Sequence, residues 1–258
     1  MILWIDGSHA PEENMRRDAM LLANAEAGAP PVLRLFSFHP HGITLGAREH
    51  PEDTLDLERC RRDGIPWAVR PTGGRAIFHA EEWTYSLAAP IDDRAWGGTQ
   101  AEAYRRASAL VAASLGRLGI PATMALSQRR APGAGAACFA SAARHEIEAH
   151  GRKLVGSAQR RTRRALLQQG SVLLGDGHLR LADYLRGVDP ELVRLRLAAA
   201  SIHAGTWLGP EVPLGRWGDA LENELGGRAW RLEGAEGLFL LTLENPGFYT
   251  AALTQVER

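Results

Sequence analysis

With 258 residues, 45% of them hydrophobic and 23% charged, the chain can bury a sizeable core, which excludes wholesale disorder. Thirty basic residues balance thirty acidic ones, which argues against nucleic acid as a bulk electrostatic partner while permitting local patches. No apolar run approaches the ~18 residues of a membrane span, the opening Met-Ile-Leu-Trp-Ile-Asp lacks the basic-then-apolar order of a secretory signal, and two cysteines do not make a disulfide framework. A soluble cytoplasmic protein with no membrane partner is expected.

Ile2 to Ile5 reads as a short strand ending at Asp6-Gly7-Ser8, and Glu12 to Ala27 as a helix with Met15, Ala19, Leu22 and Ala23 on its apolar face. Val32 to Phe38 is apolar on both faces, as an inner strand is, with Ile43 to Leu45 as its partner. Leu55 to Asp63 reads as a short helix and Trp67 to Arg70 as a strand entering a glycine loop; Ala76 to Phe78 and Thr84 to Ala88 are expected to pair. The longest clean helix is Thr99 to Leu118, stopped by Gly119-Ile120-Pro121. Gln128 to Ala137, rich in Gly, Ala and Arg, reads as an irregular, mobile loop. Glu146 to Ala149 and Leu154 to Gln159 form a hairpin through Gly151-Arg152, and Ala165 to Leu174 is a further strand. A helix near Leu214 to Leu225 and a short apolar segment, Leu238 to Leu243, complete the chain. Strands, helices and hairpins in this order predict an α+β class with a mixed sheet. No linker or repeat divides the sequence, so residues 1–258 are expected to form one domain.

Two clusters carry the chemistry. In Arg70-Pro71-Thr72-Gly73-Gly74-Arg75-Ala76-Ile77-Phe78-His79, adjacent glycines let backbone approach a ligand closely. Arg70 and Arg75 place cations where an anionic or carbonyl-bearing substrate could lie; a positively charged hairpin loop is the plain alternative. Roughly sixty residues on, Cys138 precedes Gly151-Arg152-Lys153-Leu154-Val155-Gly156-Ser157-Ala158-Gln159. Small residues in that strand make room for a substrate beside it. Were Lys153 and Cys138 to converge, the ammonium would favour the thiolate, and a neutral Lys153 could take a proton from an incoming amine. A surface hairpin lysine and an inert cysteine are the plainer readings. Cys60, in a short helix with Leu57, is expected to pack as a small hydrophobe. His79 reads either as a third participant or as a polar residue at a strand start. No CxxC, HExxH or Walker-type spacing occurs, so neither a metal nor a phosphate loop is expected.

In order, Asn14-Met15 with Asp18, Pro31 to Gly46, Arg70 to His79 with Thr84-Tyr85-Ser86, Cys138-Phe139, Glu146, Gly151-Arg152-Lys153, Gly156-Ser157-Ala158-Gln159 and Gln168 to Leu173 resemble the cysteine-dependent octanoyltransferases of the biotin/lipoate protein ligase superfamily. The resemblance covers about residues 1 to 180 and implies that superfamily's catalytic-domain fold, a mixed sheet flanked by helices. It implies Cys138 as nucleophile and Lys153 beside it, with Arg70, Thr72, Gly73, Gly74, Arg75, His79, Gly156, Ser157 and Ala158 binding substrate. Octanoyl would pass from octanoyl-acyl carrier protein to a lysine of an apo lipoyl domain, such as glycine cleavage H protein, with no cofactor and no ATP. A monomer is expected.

Three neighbouring activities stay open: an ATP-dependent lipoate–protein ligase, an amidotransferase between lipoyl domains, and a non-catalytic acyl- or lipoyl-binding relative. Arg75, where ligases carry a third glycine, favours the transferase. The chain also departs from the family pattern, with Gln169 in place of a histidine, Ala80 in place of an acid, Glu49 in place of a glutamine, and Ala140-Ser141-Ala142 in place of Asp-Ala-Pro.

Overall fold

The computed structural model describes residues 1–125, 146–209 and 212–242. The expected Gln128 to Ala137 loop lies outside these residues. In chain order the elements are β1 (Ile2–His9), α1 (Pro11–Glu26), β2 (Val32–Phe38), β3 (Gly42–Leu45), α2 (Pro51–Thr54), α3 (Leu57–Arg62), β4 (Trp67–Val69), β5 (Ile77–His79) and β6 (Glu82–Pro90). They continue with α4 (Gln100–Arg117), β7 (Thr123–Met124), β8 (Ile147–Ala149), β9 (Arg152–Arg161), β10 (Ala165–Leu173), α5 (Pro190–Ala200), α6 (Gly205–Leu208), α7 (Leu214–Leu225), β11 (Trp230–Glu233) and α8 (Gly234–Thr242).

A large sheet in the order β11-β1-β2-β6-β10-β9-β8-β7 forms the middle layer. It is parallel across β11, β1 and β2 and antiparallel from β2 onward, a mixed sheet as expected. Alternation along β1 and β2 explains why both of its faces are covered. Leu3, Ile5, Leu33 and Leu35 pack with Val111 and Leu115 of α4 and Trp217 and Leu221 of α7. Ile2, Trp4 and Val32 turn the other way, onto Leu21, Leu22 and Ala25 of α1 and Leu241 of α8. The long helix α4 starts on a reciprocal cap: Thr99 Oγ1 accepts from the Glu102 N–H while the Glu102 carboxylate accepts from the Thr99 N–H. Among the described residues no helix is long and apolar enough to cross a membrane.

A second sheet, β4-β3-β5, differs from the expected pairing. β3 is not a partner of β2, and β5 does not pair with β6; β3 lies antiparallel to β5 and parallel to β4. The cause is local. Glu81 takes a positive φ of 51° between β5 and β6. Its carbonyl accepts from the Leu174 N–H at 2.8 Å and its carboxylate from the Gly177 N–H at 2.8 Å, which ties the turn to the end of β10. β6 therefore leaves in a new direction and enters the large sheet. The small sheet has its own core, built from Ile43, Leu45, Phe78, Tyr184 and Leu197. Cys60 is buried there, as expected, and burial pushes its thiol pKa up.

The elements α2, β7, α5, α6 and β11 lie outside the sequence-based reading, and the apolar Leu238 to Leu243 segment largely forms α8. Helix α5 does carry a legible start, since Asp189 caps the Glu191 and Leu192 N–H groups ahead of Pro190. Strand β11 carries almost no signal, because its Trp-Arg-Leu-Glu alternation spans only four residues.

Candidate active site

The glycine loop joins β4 to β5, and Arg70 holds it in shape from within. The guanidinium is 4% exposed. Its Nε and Nη2 donate to the Gly73 carbonyl at 3.1 and 2.8 Å, Nη2 also to the Arg75 carbonyl at 2.7 Å, and Nη1 to the Thr44 carbonyl at 3.1 Å. This cation is thus aimed largely at the loop's own oxygens. Of the paired glycines, Gly74 needs its φ of +94°, which favours glycine, whereas space beyond Gly73 is open. Gly46 backs the loop so closely that a Cβ there would strike the Gly74 carbonyl. Arg75 is half-buried beside it.

Beneath the loop lies a buried polar network that the sequence gives little sign of. Thr72 Oγ1 donates to Gln169 Oε1 at 2.5 Å, and Gln169 Nε2 donates to Asp18 Oδ2 at 2.5 Å. Asp18 Oδ1 in turn accepts from Arg34 Nη1 at 2.6 Å and Ser86 Oγ at 2.7 Å. Arg34, fully buried on the α1 face of β2, also pairs with Asp6 at 2.7 Å and donates to Asn14 Oδ1 at 2.6 Å. Gln169, at the position where the resembled family carries histidine, therefore acts as a strut from sheet to loop. Gln169→Leu keeps the volume but leaves the buried Thr72 hydroxyl and one Asp18 oxygen short of partners. A loss of about 1–3 kcal/mol in urea unfolding is expected; an unchanged midpoint would contradict the strut.

His79 ends β5 rather than starting a strand, and it is 4% exposed. Its Nε2 meets Thr44 Oγ1 at 2.6 Å, its Nδ1 meets Glu82 Oε1 at 2.6 Å, and its ring stacks on Phe38 at 3.9 Å. Thr84 and Ser171 hydroxyls also donate to Glu82 Oε1, at 2.7 and 3.1 Å. With both ring nitrogens engaged, His79 is fixed as part of a wall.

On the opposite side, β9 presents Gly156, Ser157 and Ala158. Tyr104 OH donates to the Ser157 carbonyl at 3.2 Å, and Tyr85 OH lies 3.0 Å from Ser157 Oγ while accepting from Gln168 Nε2 at 3.0 Å. Burial pushes the Tyr85 pKa up, so the phenol stays protonated at neutral pH. Gly170, paired with Ser157 across the sheet, has no room for a side chain: a Cβ would lie 2.7 Å from Ser157 Oγ and closer still to the Tyr85 ring.

Arg70, Thr72, His79, Gly156, Ser157 and Ala158 together line one narrow slot of about 30 Å³, walled on its apolar side by Met15, Phe38 and Ile77. Gly73, Gly74, Arg75 and Lys153 are not among its lining residues. Lys153 is buried on the same strand as Gly156 to Ala158, and its Nζ donates to Glu146 Oε1 at 2.7 Å, both side chains being nearly inaccessible. It is therefore no surface hairpin lysine. Glu146, named above only as the start of a hairpin strand and as part of the resemblance, sits just ahead of the β8–β9 hairpin. Cys138 lies outside the described residues. Among the described residues no group of three or more His, Cys, Asp or Glu side chains could hold a metal.

Known proteins resemble this chain in sequence and fold. The profile of the lipoyl protein ligase A/B catalytic domain matches residues 10–193. The octanoyltransferase LipM of Moorella thermoacetica is 38% identical over 213 residues, covering 81% of this chain and 77% of that protein. Its counterpart from Symbiobacterium thermophilum is 35% identical over 226 residues, covering 84% and 81%. Among solved structures, a bipartite lipoate protein ligase from Thermoplasma acidophilum superposes with a TM-score of 0.67 at 19% identity, covering 96% of this chain and 93% of that one. A lipoate-protein ligase A bound with ATP gives 0.65 at 18% identity, covering 98% and 93%. At such identities the structural likeness establishes the fold: that of the lipoate protein ligases, a mixed sheet flanked by helices. With the family profile spanning most of the chain and relatives above 30% identity along it, this chain belongs to the lipoyl protein ligase A/B catalytic domain family.

Proposed function

We infer that this protein is an octanoyltransferase of protein lipoylation, taking octanoyl from octanoyl-acyl carrier protein and passing it through a Cys138 thioester to a lysine of a lipoyl domain such as glycine cleavage H protein. The observation that carries this reading is the slot between the glycine loop and the Gly156-Ser157-Ala158 strand, on which Lys153 is also mounted. The similarity to proteins named octanoyltransferase supports it. Burying about seven methylene or methyl groups in such a slot contributes at most about 5–6 kcal/mol at ~0.8 kcal/mol each. Seating the chain requires side chains such as Met15 to shift, which an unbranched thioether does readily.

In the first half-reaction the Cys138 thiolate attacks the octanoyl carbonyl and a new C–S bond forms. The carrier's thiolate leaves and takes a proton from the Lys153 ammonium. In the second, the neutral amine of the acceptor lysine attacks the acyl-cysteine, neutral Lys153 takes the amine proton, and the Cys138 thiolate is released. Backbone N–H groups of the glycine loop are suited to the oxyanion of each tetrahedral intermediate. Thioester exchange is nearly balanced, and amide formation makes the second half effectively one-way. The acyl group arrives activated, so no cofactor and no ATP enter. Residues 1–258 act as one catalytic domain, and a monomer suffices.

The test is intact-mass analysis of an apo lipoyl domain incubated with the protein and octanoyl-carrier protein. One octanoyl mass should appear without ATP, and none from free octanoate with ATP. Modification from free acid only when ATP is present would favour the ligase reading instead.

A further inference from the structure

A groove between α1 and β4 adjoins the slot, since Met15 and Arg70 line both. It holds about 780 Å³. Its wall carries Trp67 and Val69, 39% and 43% exposed, on β4, the edge strand of the small sheet. Large apolar side chains on an exposed edge strand mark a surface that another molecule covers. Arg160 of β9 closes one side and donates to the Pro71 carbonyl of the glycine loop at 3.2 Å.

Arg160 opens the run Arg160-Arg161-Thr162-Arg163-Arg164, four guanidinium groups in five residues of a chain whose net charge is zero. Arg160, Arg163 and Arg164 are exposed, and Arg161 keeps a buried Nη1 with no hydrogen-bond partner. None of the four has an ion-pair partner among the described residues. Thr162 fixes the turn, its Oγ1 accepting from the Arg164 and Ala165 N–H groups at 3.3 and 3.0 Å. The cations are thus held together at the end of the strand that lines the slot.

We propose that the α1–β4 groove and the Arg160–Arg164 hairpin form the docking surface for the acyl donor, an acidic carrier protein whose thioester hangs on a phosphodiester-linked arm; this rests on the octanoyltransferase reading. Charge decides between the two macromolecular substrates. The donor brings an acidic surface and an anionic phosphate toward the reaction centre, both matched by unpaired arginines. The acceptor must bring a lysine amine, which the same arginines repel. Trp67 and Val69 supply the apolar contact inside a charged rim, the usual anatomy of an interface.

Binding measured by fluorescence anisotropy without turnover tests this on the whole chain. Arg163→Glu/Arg164→Glu should weaken the Kd for octanoyl-carrier protein on the order of tenfold or more, and Arg163→Lys/Arg164→Lys should largely retain it. Octanoyl-pantetheine, which carries the same thioester but neither the phosphate nor the acidic protein, should change about twofold or less. Wild-type binding should also weaken as salt shortens the screening length below about 10 Å. An unchanged carrier Kd in the charge-reversed variant overturns the proposal, as does a loss confined to the lipoyl domain or equal for octanoyl-pantetheine. If wild type binds the carrier through these arginines but transfers no octanoyl, the transferase reading fails and the docking surface stands.

Discussion

Replacing Lys153 by methionine should lower octanoyl transfer on the order of 10²–10⁴-fold, the range a positioned acid–base group supplies. The same change takes a buried ammonium away from Glu146, whose carboxylate faces Nζ at 2.7 Å. Removing one partner of such a pair costs about 3–5 kcal/mol, so folding must be measured alongside activity. Lys153→Arg separates the two effects. Arginine keeps a cation for Glu146, but with a pKa above about 12 it cannot serve as a base. Stability should largely hold, while transfer from the acyl-enzyme to the lipoyl domain falls sharply and some acylation of Cys138 persists. Equal loss of both half-reactions in a folded Lys153→Arg protein would count against the base and favour a positioning role.

A loss of stability of similar size is expected at Arg34. Its guanidinium satisfies Asp6, Asp18 and the Asn14 side chain at once, and it stacks 3.9 Å above the Phe36 ring with Trp4 nearby. Arg34→Met leaves two fully buried carboxylates without their shared cation. A loss of about 3–5 kcal/mol in reversible urea unfolding is expected. Octanoyl transfer by the remaining folded fraction should also weaken, because Asp18 anchors Gln169 and Gln169 anchors Thr72. A loss below about 1 kcal/mol would show that Arg17, which also pairs with Asp6, takes over the role.

What the sequence made legible was local. The paired glycines, the small residues of β9 and the helical periodicity of α1 and α4 each lie within a short window, where spacing alone carries meaning. The alternating faces of β2 identified an inner strand for the same reason. Strand partners were not legible. Ile43 to Leu45 and Ile77 to Phe78 are short apolar runs that would suit either sheet, and the choice is made by Glu81 anchoring to Leu174 and Gly177, far along the chain. The buried polar struts were hidden for a related reason. Arg34 lies in a strand read as apolar on both faces, with nothing in that window to show that Asp6 and Asp18 converge on it, and Gln169 reads as one of two adjacent glutamines until the fold brings Thr72 above it. His79 was singled out by its place after the glycine loop, whereas its two partners, Thr44 and Glu82, place it in a wall that no spacing rule describes.

The most direct measurement is the intact mass of the enzyme after incubation with octanoyl-carrier protein alone. The covalent mechanism predicts one added octanoyl group, removed by hydroxylamine as a thioester is, present in wild type and in Cys60→Ala and absent in Cys138→Ala. Cys60 should not compete, since burial in the small-sheet core keeps its thiol protonated and out of reach. A Cys138→Ala protein that still carries the adduct, or that transfers octanoyl to the lipoyl domain at near wild-type rate, would contradict it.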